Sequence, residues 1–537
     1  MKTKKKTKII LWSLLPIVLI ILLHVIGPIG NTVNLWRASG LVQFDSAFEC
    51  GSYEKIELTL AEKTKMPDDS KNWLLEYTVY SLRDPVNPVD TALAANGRWF
   101  YFRMTGVKDK EIRLNFKNSD PVAPVYSYDG NSFERFTKEE SQFRQISKQF
   151  PNDTVYVAYY IPYSFEYLQQ RFLSWQETGR VNKLDTIGWS YQGRPIQMMT
   201  ITDASKPADS KKRIYIHGRI HPSESPASWH LDSMIEQLVS DSPRGKAYRE
   251  QAEFYIIPFV NPDGVANGMS RSNAQGVNME INYDRPDSLT TIEVTALKKN
   301  LEELTANRPL DMILNMHSQS SPQVTYWIHT DTTTSAKFYS QQLLLANATI
   351  SRSPVFHKND LFFSDVAPRY VEGWTWNRFQ EKTMAICFET PYTYYNDNPN
   401  GTWVDLENLY ALGVDALNAI GDYYQWSAPD CFYLEPMPAN RSEWEFLSPD
   451  DMVFMGKGFY VSKRQGAKMV YRLNNLPAGK YALYKWNPGF AEKVSADYTN
   501  EWVRIYEINQ EKNAPFEWAV SAPGVGVREN LLMIERL

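Results

Sequence analysis

The spacing of apolar residues changes character along the chain, and each change marks a different kind of element. Residues 9–30 read "IILWSLLPIVLIILLHVIGPIG", an almost unbroken apolar run behind the lysine-rich "MKTKKKTK". The run matches the ~20 residues a helix needs to span a bilayer. It exceeds the ~7–15 apolar residues of a cleaved signal peptide, and no A-x-A site follows it. With the lysines kept inside, the positive-inside rule predicts a membrane anchor over residues 1–30 and a body outside the cytoplasm, periplasmic or at the cell surface. Secretion after cleavage is the alternative.

From 31 to 165 the period is two. "RWFYFRMTGV", "EIRLNFKN" and "TVYVAYYIPY" are short, aromatic and β-branched, with turn residues between them, which predicts an antiparallel β-sandwich. Between 166 and 427 short apolar strands alternate with helical stripes. "KKRIYIHG", "EFYIIPFVNPDG", "LDMILNMHSQ" and "KTMAICFETPY" are strands, whereas "SPASWHLDSMIEQLVSD" and "DLENLYALGVDALNAIGDYYQ" repeat at helical spacing. That alternation predicts an α/β domain with a mixed, mainly parallel sheet flanked by helices. β patterning returns over 428–537, as in "KMVYRLNNLPAGKYALYKW", and predicts a small C-terminal β-domain.

Composition narrows the function classes only slightly. A net charge of −5 over 537 residues argues against a nucleic-acid partner, which would need a basic face. The 16 Trp and 32 Tyr suit a β-rich core as well as a binding surface. The three cysteines form no CxxC pair, so a cysteine metal site is not indicated, and a Cys50–Cys431 bridge cannot be told from free thiols.

The histidines are more informative. In open α/β sheets ligands sit beyond the carboxyl ends of strands. His221 and Glu224 follow one predicted strand, His317 ends a second and Glu389 ends a third. HxxE alone is weak, and a solvated turn explains it as well. Two histidines and a carboxylate are, however, a ligand set for catalytic zinc, and a further carboxylate is what water activation needs.

These segments resemble the zinc carboxypeptidases of the carboxypeptidase A type, and more narrowly the cytosolic-carboxypeptidase branch. "GRIHPSESPASW", "IPFVNPDGVANGMSRSNAQGVNMEINY", "LNMHSQ" and "CFETPY" carry the resemblance, which covers roughly residues 35–425. It implies a carboxypeptidase-like fold and a Zn2+ ion held by His221, Glu224 and His317. It also implies a peptide substrate, with Glu389 as general base and Arg271 polarising the scissile carbonyl. Tyr370 is the candidate for the tyrosine such enzymes place over the substrate, although its spacing is unusual. His217 and His230 read as scaffold, and Asn261 and Asp263 as builders of the turn before Arg271.

One segment departs from the resemblance. Where the family places Asn-Arg to grip the substrate's terminal carboxylate, "GVNMEINY" has Glu280 and Ile281. The guanidinium fork that binds a carboxylate is gone. Arg285 or Arg378 could replace it. Glu280 could instead meet a cation on the substrate, or the enzyme could be an amidase or endopeptidase needing no terminal group. An extracytoplasmic body would make cell-wall peptides candidate substrates. A non-catalytic peptide- or glycan-binding protein is the reading from another class.

Overall fold

Beyond residue 165 the strand–helix alternation builds one eight-stranded mixed sheet. Its strands are β1 (Val181–Trp189), β2 (Pro195–Ile201), β3 (Lys212–Gly218), β4 (Ala252–Ile257), β5 (Met312–Gln319), β6 (Thr325–His329), β7 (Phe362–Ser364) and β8 (Met384–Pro391). They lie in the order β1-β2-β4-β3-β5-β8-β6-β7. The inner block β4-β3-β5-β8 is parallel, and β6 runs antiparallel to β8. The computed structural model describes residues 32–63, 73–87, 97–395, 402–491 and 499–537. The expected anchor, residues 1–30, lies outside the described residues.

The longer helices are α1 (Phe165–Glu177), α2 (Ser225–Val239), α3 (Pro243–Gln251), α4 (Ile292–Thr305), α5 (Ala336–Arg352), α6 (Val371–Phe379) and α7 (Leu406–Tyr424). The central strands are buried on both faces, so their two parities meet different partners. Tyr215, Ile313 and Ala385 pack with Val294, Leu297 and Leu301 of α4 and with Val371 and Trp374 of α6. On the opposite parity the Phe388 ring meets His230 of α2 at 4.8 Å. His230 is fully buried, and burial lowers its pKa to about 3, as suits a neutral packing residue. Sheet and helices together form the expected mixed, mainly parallel α/β architecture.

The described residues divide into two compact units. The first comprises the described residues up to 85, those of 93–162 and residues 266–270. It contains two five-stranded sheets with alternating buried positions, such as Ile112, Leu114 and Phe116. Most of its pairings are antiparallel, and Trp73–Tyr80 with Glu111–Lys117 is a parallel exception. Phe100 stacks on Phe116 at 4.3 Å in its core.

The second unit includes both the eight-stranded sheet and the β-rich C-terminal region. In that region Leu434, Trp444, Tyr471, Tyr481, Leu483 and Ile534 belong to a separate core. Cys50 and Cys431 are buried and unbridged. The C-terminal strands are stapled to the helices by a buried ion network. Asp422 of α7 accepts two bonds from Arg352 of α5 at 2.7 and 2.6 Å, one from the Tyr433 hydroxyl at 2.5 Å and one from Trp502 Nε1 at 3.1 Å. Arg352 and Arg244 also share Glu535.

Breaking one partner of a fully buried ion pair costs roughly 3–5 kcal/mol. Asp422→Asn is therefore expected to lower unfolding stability by about that amount in a urea titration. A loss below about 1 kcal/mol would show that this network is not a staple.

Candidate metal centre and active site

Strand alternation brings the predicted residues to one face. The register pairs His217 with Asn315, Asn315 with Cys387, and His317 with Glu389. The face is thus apolar at Tyr215–Ile313–Ala385 and turns polar in two successive rows toward the carboxyl ends of the strands. Glu224 reaches the same place from the loop that leads into α2.

That loop is held from inside. Arg219, at the end of β3, is buried with φ +55°, a conformation costing a non-glycine residue on the order of 1–3 kcal/mol. Its guanidinium donates twice to the Pro222 carbonyl, at 3.0 and 2.7 Å, and once to Ser228 Oγ at 3.0 Å. The His221–Glu224 turn is wrapped around this side chain. Asn261 ties it to the next segment: its amide donates to the carbonyls of Ile220 at 3.1 Å and Ser272 at 3.0 Å, the neighbours of His221 and Arg271. Gly264 is required here because a Cβ would lie 2.3 Å from Pro222 Cγ.

Within this frame the Glu224 carboxylate stands between two imidazoles. Its Oε1 is 2.8 Å from His221 Nδ1 and its Oε2 is 2.9 Å from His317 Nδ1. The Ser318 amide donates to the same Oε2 at 3.0 Å. The three residues offer ligand atoms that all lie within 4.8 Å of one another, and all are buried. Burial alone would raise the Glu224 pKa, but His221 and His317 hold it well below the usual carboxylate range. Burial would likewise lower His317, yet Glu280 and Glu224 hold it well above its ordinary value. Burial and Arg271 lower His221 despite Glu224. Two imidazoles and a carboxylate converging in a dry site form a borderline-soft donor set that fits zinc.

Glu389 sits beside these groups, half-buried, with Oε1 accepting from Trp327 Nε1 at 2.9 Å. Burial pushes its carboxyl up to about 7; His317 and Arg271 pull against this and Glu224 adds to it. Arg271 is exposed, and its charge is felt at both His221 and Glu389.

The residues expected to meet substrate are dispersed. Glu280 is buried, its Oε1 accepting from Asn315 Nδ2 at 3.0 Å and its Oε2 lying 3.2 Å from His317 Nε2. It faces the strands and the metal ligand. Ile281 is half-buried at the end of the 3-10 turn Met279–Ile281. Tyr370 stands at the N-cap of α6 with Arg369 5.0 Å over its ring. Arg285 and Arg378 line one cavity of about 280 Å³ together with Lys298, Tyr283 and Trp374. His217, expected as scaffold, is buried opposite Asn315, and burial lowers it to about 4.

Four further site residues lie outside the set the sequence pointed to. Asn278 Oδ1 is 3.1 Å from His221 Nε2, and Asn315 donates to both Glu280 and Glu372. Burial and Glu280 raise Glu372 to about 7. Trp327 holds Glu389. Only Asn315 was open to sequence reasoning, since it shares strand parity with His317.

The parallel strand block thus carries a candidate His-Glu-His metal centre with a carboxylate beside it. Residues 174–398 match the zinc carboxypeptidase family, which supports a hydrolase in this segment of the chain. It is similar to cytosolic carboxypeptidase 6 of Mus musculus, 23% identical over 449 residues, covering 76% of this chain and 77% of the relative. It also matches an uncharacterized protein of Zymomonas mobilis, 24% identical over 237 residues, covering 42% of this chain and 59% of that protein. The metallo-carboxypeptidase of Burkholderia cenocepacia shares the fold, with a TM-score of 0.58 and 23% identity over 71% of this chain and 98% of that one.

The expected location is corrected by these findings. Relatives matched over three quarters of the chain are named cytosolic carboxypeptidases. Among the described residues no helix is long and apolar enough to cross a membrane. The membrane-anchored, signal-bearing, extracytoplasmic reading of the first 30 residues, which lie outside the described residues, is at odds with the names of these relatives, and the cell-wall substrates that rested on it are not carried further.

The site makes a direct prediction. Wild-type protein is expected to hold one zinc per chain by atomic absorption, and His317→Ala or Glu224→Ala to hold almost none. Full zinc content in both variants would remove these residues from the ligand set.

Proposed function

We propose that the chain hydrolyses peptide amide bonds with Glu389 as the proton-transferring group. The observation that supports this most is a carboxyl raised to about 7 beside three buried metal-ligand candidates. A group with that pKa can both accept and return a proton near neutral pH, as general acid–base work demands. Bound at His221, Glu224 and His317, zinc supplies Lewis-acid polarisation and lowers the pKa of water toward ~7. Glu389, held by Trp327, takes the proton from attacking water and delivers it to the leaving amine. Arg271 stabilises charge developing on the carbonyl oxygen.

The sign of the pH dependence follows. The base works ionised, so kcat/KM rises with pH along an acidic limb. Zinc would displace the His317 proton and bring more positive charge than it removes, which pulls the Glu389 pKa, and the limb with it, downward. Glu389→Gln should keep its zinc, lose roughly 10²–10⁴-fold in kcat and lose that limb. Activity that survives the substitution would defeat the mechanism.

For specificity, Ile281 leaves no fork at the expected carboxylate grip, and Glu280 is turned toward His317. Arg285 and Arg378 face one cavity with Lys298 and supply the alternative anion partner. Arg285→Ala/Arg378→Ala is expected to raise KM for peptides with a free or acidic C-terminus and to spare C-terminally amidated ones. An equal effect on both would exclude the cavity as an anion subsite.

A further inference from the structure

Resting on the metal reading above, we infer that the turn spanning residues 278–280 is a clamp that orients both ligand histidines from their far nitrogens. His221 and His317 each turn Nδ1 toward Glu224, at 2.8 and 2.9 Å. The opposite nitrogens meet two side chains of one short segment. His221 Nε2 is 3.1 Å from Asn278 Oδ1, and His317 Nε2 is 3.2 Å from Glu280 Oε2. Neither partner lies on the strands that carry the histidines.

The amide orientation of Asn278 is determined locally. Its Oδ1 also accepts the Glu280 backbone N–H at 3.3 Å, as the N-cap of the Met279–Ile281 turn. The oxygen must therefore face the His221 ring, which places that ring's proton on Nε2 and leaves the Nδ1 lone pair for a metal. The same logic holds at His317, where the carboxylate of Glu280 can only accept. The Glu280–His317 pair sits at ion-pair distance without the alignment of a good hydrogen bond, so its hold is chiefly electrostatic. Outer partners of this kind fix the tautomer and raise ligand basicity.

The clamp is built as a rigid part. Before it, Asn273 Oδ1 accepts from Val277 N at 3.1 Å, and Asn273 Nδ2 donates to Glu293 at 3.2 Å. After it, Tyr283 N donates to the Arg369 carbonyl at 3.1 Å. Glu280 is further braced by Asn315, which holds Glu372 with the same amide nitrogen, both at 3.0 Å. Glu280 is only 5% exposed, with both oxygens directed at these partners. The position expected to touch substrate is thus a positioning residue for the metal centre. The clamp is also asymmetric: a neutral amide holds His221, whereas a carboxylate holds His317.

The asymmetry allows a test by exchange. Zinc affinity would be measured by chelator competition on metal-stripped protein, with circular dichroism checking the fold of each variant. Glu280→Gln is expected to weaken zinc binding roughly 10–100-fold, and Asn278→Ala to weaken it by a similar factor. Asn278→Asp/Glu280→Gln moves the carboxylate to the other histidine, and is expected to recover most of the affinity lost in Glu280→Gln. A Glu280→Gln variant within about threefold of wild type would overturn the clamp, even if hydrolysis fell, because the residue would then act on substrate. An exchange variant no better than Glu280→Gln would likewise exclude a charge held by the turn. Absence of zinc from the wild type would instead strike the metal reading, so the two failures are distinguishable.

Discussion

The active site depends on one buried carboxylate. Glu224 has both oxygens against imidazoles and accepts a backbone amide as well, in a setting where an unpaired charge would cost several kcal/mol. Its neighbours answer that requirement. The left-handed backbone and buried guanidinium of Arg219 shape the loop that carries it, and Asn261 fastens that loop to the segment carrying Arg271. The parallel register of β5 and β8 then sets Glu389 directly across from His317. Without a cation, two carboxylates keep His317 charged; with one, the same groups become its ligand and its support.

This dependence explains what the sequence could reveal. His221, Glu224, His317 and Glu389 were legible because they end apolar strands, and strand ends of a parallel sheet converge on one rim. The α/β class was legible because the period of apolar positions switches cleanly between strand and helix. Asn278, Glu372 and Trp327 were not, since each reaches the site from an element whose approach only the tertiary fold determines. At Glu280 the departure from the family pattern is visible in "GVNMEINY", but the direction of a side chain on a 3-10 turn is not. The N-terminal run lies outside the described residues, so the structure does not bear on it.

The departure at Glu280 and Ile281 also redistributes charge. A guanidinium expected near the substrate is replaced by a carboxylate beneath a metal ligand. The arginines available for an anion, Arg285 and Arg378, gather in a cavity walled by Tyr283 and Trp374. The Arg352–Asp422 network, with Tyr433 and Trp502, connects the C-terminal sheets to α5 and α7.

The central claim is that His221, Glu224 and His317 bind one zinc ion through the histidine faces turned away from the 278–280 turn. An anomalous-difference map from zinc-loaded crystals, recorded on both sides of the zinc edge, tests it most directly. The account predicts one strong peak per chain, bonded to Nδ1 of His221, Nδ1 of His317 and the Glu224 carboxylate. A peak bonded through either Nε2, or ligated by Glu280, would contradict it.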